Sequence, residues 1–270
     1  MQDNIGSATA ANVKQEQFLK ATSQDMLARA NFYRFLATLY LQPPSQEILQ
    51  HFTDVTFIEE LQNLFGDEVK TEFKKLTEID QQGCLAALRQ DYMDLFVVPA
   101  ARYVSPFEDV YRGMRLDGKQ ERGPLLGDRA VAVKTIYRTV GADLDKICKE
   151  LPTHIGVELL FMNFLCEQEA TGYEHELPNK SNNIPDEEST ASIFRQWQLK
   201  FLHEHLTDWF PQLNQAIQEK TESIFYRGIA ELTMAFLIRD KDELIKQLRF
   251  DLQHSENKTK EQTNVERKLQ

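Results

Sequence analysis

The chain has 270 residues, 41% of them hydrophobic, and 42 acidic against 31 basic side chains, for a formal net charge of −11 at neutral pH. Such an acid excess argues against a nucleic-acid partner, because an acidic surface repels phosphate, and no apolar run reaches the ~20 residues of a membrane-spanning helix. The first twenty residues lack the apolar core of a secretory signal, and Cys84, Cys148 and Cys166 are far apart with no C-x-x-C pair, which reads as reduced thiols and not as a disulfide framework or a metal site. The expectation is a cytoplasmic protein, not inserted in a membrane, with no metal and no cofactor.

In chain order, residues 1–22 are polar and expected to form a disordered tail. Helical periodicity begins near Gln24, where Met26, Leu27, Ala30, Tyr33, Leu36, Ala37 and Tyr40 recur at threes and fours. Pro43-Pro44 stops that helix and Ser45 has the chemistry of the next N-cap. Short amphipathic stretches follow at Phe57–Phe65 and Glu68–Leu76. Leu85, Leu88, Tyr92 and Leu95 then mark a helix that ends before Pro99. Residues 98–128 carry four glycines and Pro124 and read as a long loop with short turns, of the kind that is often functional. Inside it Ser105-Pro106-Phe107-Glu108 has the pattern of a capping box, with Pro106 at the first helical position and Glu108 three residues after Ser105.

Val131, Ile136, Tyr137 and Val140 give the next helix, closed by Gly141 at the position after its C-cap. Pro152 then leads into a segment that is apolar almost all round (Ile155, Val157, Leu159, Leu160, Phe161, Met162, Phe164), which belongs in the middle of a bundle. Residues 171–190 read as an exposed linker. Ile193 to Phe201, Trp209 to Ile217 and Ile224 to Leu237 continue the helical spacing, and Asp240 is expected to cap a last helix through Phe250. Residues 251–270, four acids against four bases, read as a charged, disordered tail. No convincing strand, repeat or phosphate-binding glycine loop occurs. The expected fold is all-α, a single helical-bundle domain of about ten helices over residues 23–250.

Two blocks resemble a family signature. Glu150-Leu-Pro-Thr-His154, followed by Glu158, Phe161 and Met162, is similar to the E-x-P-D-H-x-x-x-E-L-x-F-M type of segment of the TorD/DmsD family. Arg89, Asp91, Tyr92, Leu95, Phe96 and Pro99, then Tyr103, Ser105, Pro106, Phe107, Glu108 and Tyr111, resemble the family's L-R-x-D-Y-x-x-L-F and P-Y/F-E-S-x-Y stretches in the same order. The resemblance implies a cytoplasmic chaperone, not an enzyme. Its partner would be a molybdoenzyme precursor, bound through its twin-arginine signal peptide and its apoenzyme body and held for cofactor insertion before export. It also implies an all-helical domain that is a monomer or a homodimer made by exchanging helices, with the 171–190 linker as the hinge.

The residues expected to bind the client are Tyr103, Ser105, Pro106, Phe107, Glu108, Tyr111, Glu150, Pro152, Thr153, His154 and Glu158. Phe96, Phe107, Tyr103, Tyr111 and Leu159 are available for an apolar groove. Asp91, Asp94, Glu108, Asp109, Glu150 and Glu158 are available for an acidic rim. His154 and Glu158, four apart on one helical face, make too few ligands for a stable metal site and come with no nucleophile motif. Their plainer reading is a histidine in the first helical turn and a glutamate satisfied by an arginine or a backbone donor. Thr153 stands where the family pattern has Asp. It retains the chemistry of an N-cap but offers no charge to a cationic peptide, which leaves Glu150 as the nearest acid. The alternative function is a helical adaptor for another basic or amphipathic partner.

Overall fold

The computed structural model describes residues 3–66, 81–112, 115–116, 119–120, 123–175 and 189–269. Helix α1 (Asp3–Leu41) is followed by α2 (Gln46–Thr53), α3 (Val55–Phe65) and α4 (Gln81–Tyr92), which runs into a π-helical turn, Met93–Val97. After the short α5 (Glu108–Tyr111) come two-residue strands β1 (Arg115–Leu116) and β2 (Lys119–Gln120), paired antiparallel. Then follow α6 (Asp128–Thr139), α7 (Ile155–His175), α8 (Thr190–Phe201), a second π-helical turn Leu202–Leu206, α9 (Thr207–Lys220) and α10 (Ile224–Leu269). The fold is all-α, as expected; the two-residue ladder and one isolated bridge are the local departures among the described residues. The stretch Glu68–Leu76 and most of the 171–190 linker lie outside the described residues.

Periodicity located the buried faces well. Of the seven residues singled out on α1, all but Leu27 are buried. Ser45 caps α2 by accepting the Ile48 N–H at 3.2 Å, and Gly141 adopts φ +78° just past α6, the left-handed conformation that glycine tolerates best. Two helix limits differ from expectation. α1 begins at Asp3, not near Gln24, and its early turns are held where Leu19 packs with Met26, Ala170, Tyr173 and Ala191. Asp240 caps nothing. It lies inside α10, where its carboxylate takes Nε of Arg29 at 2.7 Å and the Tyr33 hydroxyl at 2.6 Å, so the chain continues through it as one helix.

α7 occupies the centre. Ile155, Val157, Leu159, Phe161, Met162, Leu165 and Cys166 are all essentially inaccessible, each such side chain contributing ~1.5–3 kcal/mol when fully buried. α1 packs along α7 so closely that a Cβ on Gly156 would overlap the Leu41 side chain. Phe161 lies between Tyr137 of α6 and Phe201 of α8, with ring centroids at 4.4 and 4.7 Å. Further along α7, buried Glu169 accepts from Arg195 at 2.8 Å and Gln198 at 2.7 Å. Together with Arg29 and Asp240, these groups cross-link α1, α7, α8 and α10. Such buried pairs fix register more than they add stability.

Candidate functional site

The two family-like blocks, some fifty residues apart in sequence, are hydrogen-bonded to each other. Phe107 and His154 form an isolated antiparallel bridge. The Glu108 N–H donates to the Thr153 carbonyl at 2.9 Å, and the Ile155 N–H to the Pro106 carbonyl at 2.8 Å. The Phe107 ring stands edge-on to the His154 imidazole at 5.2 Å. This pairing overturns the capping-box reading. Ser105, Pro106 and Phe107 precede the helix, α5 starts only at Glu108, and its N-cap residue Phe107 supplies no side-chain bond. A backbone partner 47 residues away, His154 against Phe107, has displaced a local cap.

Helix α7 is capped by a different residue from the one expected. Nδ1 of His154 accepts the Gly156 N–H at 3.0 Å, which satisfies one of the orphan donors of the first turn. A ring nitrogen that accepts must be unprotonated, and burial pushes His154 down to about 3. Thr153, expected to cap, instead donates its hydroxyl to Asp109 at 2.9 Å. Asp109 in turn accepts the Ala130 N–H at 3.2 Å. It thereby caps α6 from a distance, because Gly127 at that helix's own N-cap position has no side chain to offer. Burial raises Asp109 above the usual carboxylate range, and the Thr153 and Ala130 bonds oppose that rise. Asp109 also takes a bond from the backbone of Leu126, which adopts φ +62°.

Behind the bridge is a cluster of buried charge. Glu108 and Glu158 are both wholly inaccessible. Glu108 accepts from Nδ1 of His205 at 2.9 Å and from Arg112 at 3.1 Å, and Arg112 also pairs with Asp208 at 2.8 Å. Glu158 accepts the Trp209 indole N–H at 2.9 Å, and Tyr111 stacks on Trp209 at 5.6 Å. Burial first, and the neighbouring Glu108 second, push Glu158 well above the usual carboxylate range. The π-helical turn 202–206 delivers His205 to this cluster. It is followed by Pro211 inside α9, a residue that cannot donate to the helical ladder.

Several expected groove and rim members are elsewhere. Phe96 and Leu159 belong to the core, Phe96 against Tyr40, Tyr92 and Tyr226. Asp91 and Asp94 both pair with Arg102. Ser105, Pro106, Glu108, Thr153, His154 and Glu158 are buried, so they shape the site from behind. Tyr103, Phe107, Tyr111 and Pro152 are half-buried, and Glu150 is exposed. Glu150 and Pro152 line a cleft of about 420 Å3 between the end of α6 and residues 141–152. Tyr137, Ala142, Leu144 and Val157 provide its apolar lining, and the Tyr137 hydroxyl donates to the Pro152 carbonyl at 2.8 Å. Two lining acids are already paired, Asp145 with Lys134 at 2.9 Å and Asp143 with Lys146 at 2.6 Å. Glu150 makes no ion pair among the described residues.

Sequence reasoning missed Arg112, His205, Trp209 and Tyr137. Arg112 had a legible signal, four residues after Glu108 on one helical face. His205 had none, because the π-helical turn that aims it does not follow the 3.6-residue period. Among the described residues no three His, Cys, Asp or Glu side chains are grouped to hold a metal ion.

Residues 62–215, more than half of the chain, match the family model described as nitrate reductase delta subunit. The chain belongs to that family. It is also 23% identical over 223 residues to the chaperone protein TorD of Vibrio vulnificus, which covers 80% of this chain and 94% of the relative. It is 21% identical to the chaperone protein TorD of Colwellia psychrerythraea, covering 83% of this chain and 94% of the relative. A perchlorate reductase assembly chaperone protein of Dechloromonas aromatica is 24% identical over 53% of this chain and 56% of its own length. The kinship with TorD-type maturation chaperones read from the two motif blocks therefore holds, and with it the expectation of a chaperone and not an enzyme. Among the described residues no helix is long and apolar enough to cross a membrane.

Proposed function

We propose that this protein is a cytoplasmic chaperone that binds the twin-arginine signal peptide and the apo form of a molybdenum-cofactor oxidoreductase, and holds the client for cofactor insertion before export. The observation that carries this reading is the cleft beside the paired motif segments, with Glu150 as an acid on its lining that makes no ion pair among the described residues. Its volume of about 420 Å3 falls within the ~300–1,000 Å3 of small ligand sites and suits one or two side chains of a peptide. A guanidinium fork matches a carboxylate in a way that a lysine ammonium does not. Tyr103, Phe107 and Tyr111, half-buried on the paired segment, offer contacts to the apolar stretch that follows the arginines. The net charge of −11 favours encounter with a cationic segment. Thr153 supplies no charge, and Asp109 behind it is buried and committed to two bonds, so Glu150 carries the electrostatic part of recognition.

The test is binding of a client signal peptide to Glu150→Gln, Phe107→Ala and Tyr103→Ala. All three positions are accessible, so the variants should keep wild-type helicity while Kd rises about tenfold or more, ~1.4 kcal/mol each. Three variants that bind as tightly as wild type would remove the site assignment.

A further inference from the structure

The donors around Glu158 bear on where its proton sits, whether or not the protein binds a signal peptide. Oε2 of Glu158 takes the Trp209 N–H at 2.9 Å. Oε1 is buried and no donor reaches it; the carboxylate of Glu108, equally inaccessible, is a neighbour that raises Glu158 after burial itself. Every other polar group facing this pair is committed. From α5, Arg112 bonds Glu108, Asp208 and the Glu204 carbonyl, and Asp109 holds Ala130 and Thr153. From the second π-helical turn, His205 bonds Glu108. From α6, Tyr137 donates to Pro152. From the start of α7, His154 accepts from Gly156. Two neighbouring ionised carboxylates, both cut off from water, repel strongly and one takes up a proton instead. A buried oxygen without a donor also costs the desolvation of that atom. One proton on Oε1 removes both penalties.

We propose that Glu158 is a neutral carboxylic acid which donates its proton to Glu108, and that this bond is a proton-controlled clamp joining the Phe107–Glu108 and His154–Glu158 segments to the 202–206 turn. Glu158 is a positioning residue here. It reaches the cleft only through the bridge and through Tyr137 on the cleft wall. Because Glu158 holds its proton more tightly folded than unfolded, its contribution to stability is complete below the ordinary glutamate range and is lost as pH rises through the higher folded value. Ionisation would leave two anions sharing one site, and the bridge that they support would loosen.

The experiment follows carboxyl groups directly. Protein carrying 13C-labelled glutamate is titrated by NMR, and the infrared band of a protonated carboxyl is sought at neutral pH. Urea midpoints of wild type and Glu158→Gln are compared from pH 6 to pH 9.5. The glutamine amide keeps the shape, accepts from Trp209 and donates to Glu108, but cannot ionise. One glutamate should stay protonated at neutral pH in the wild type, its infrared band should vanish in Glu158→Gln, and the alkaline fall in urea midpoint should be lost in that variant. A wild type in which every glutamate is ionised at neutral pH overturns the proposal, and that spectrum decides the matter even if the variant fails to fold. Equal alkaline slopes in wild type and a folded Glu158→Gln would overturn it too.

Discussion

Acidification should unlock α7 through His154, and the size of the effect follows from the structure. The imidazole is 5% exposed, and its Nδ1 accepts the Gly156 N–H at 3.0 Å. Protonation would turn that acceptor into a donor facing a donor, and would place a charge in a buried site. Burial holds the folded value at about 3, against 6.5 for a free histidine. A depressed folded value means that the stabilisation is complete above about 6.5 and drains away as pH falls toward 3. Each pH unit between those limits is worth about 1.4 kcal/mol. A drop to pH 5 therefore costs ~2 kcal/mol from this residue, and a drop to pH 3 ~5 kcal/mol. His154→Asn supplies the control, since asparagine ranks with the best N-caps and cannot titrate. Its stability at pH 7 should lie within ~1 kcal/mol of wild type, and it should lose the His154 part of the slope between pH 6.5 and 4. The assay is urea unfolding followed by far-UV circular dichroism at each pH. Other carboxylates titrate in both proteins, so the difference between the curves is the quantity that matters. Curves that stay parallel down to pH 4 would refute the buried, unprotonated cap.

Three further outcomes are expected. Thr153→Asp, which restores the residue of the family pattern, places a second carboxylate against buried Asp109 and should destabilise by ~2 kcal/mol or more. Thr153→Asp with Asp109→Asn should recover most of that loss, and a double-mutant cycle with no coupling would contradict the contact. Gly156→Ala drives a methyl into Leu41 and should cost ~1–3 kcal/mol, with rescue by Leu41→Ala in thermal unfolding. Asp240→Asn removes the nearer of the two carboxylates paired with Arg29, leaving Glu169 at 3.8 Å; the cost should fall at or below the ~3–5 kcal/mol of a fully broken buried pair, and Tm should fall by several degrees.

What could be read from the chain divides along a physical line. Features set by near neighbours were legible: the buried face of α1, the Ser45 cap, the stop at Pro43-Pro44, Gly141 after α6, and a central α7 apolar on every side. Features set by distant partners were not. Ser105-Pro106-Phe107-Glu108 fits a local cap perfectly well, and only the backbone of Thr153 and Ile155 explains why it is extended. Thr153 and His154 are both competent caps; Asp109, 44 residues earlier, decides between them by engaging the Thr153 hydroxyl. Asp240 looks like a helix start until Arg29 and Tyr33 arrive from 211 and 207 residues away. The site residues were named as a set, but side-chain burial sorts them into Glu108, His154 and Glu158, which build the scaffold, half-buried Phe107, and exposed Glu150.

The most direct test of the account is calorimetric titration of the purified protein with twin-arginine signal peptides of molybdoenzymes encoded near its gene, each beside a version with the arginine pair replaced by lysine. Tight binding to one peptide that weakens at least tenfold on the lysine replacement, and again in Glu150→Gln, is the predicted result. Equal affinity for the arginine and lysine peptides, or no binding to any of them, would contradict recognition of a signal peptide at this cleft.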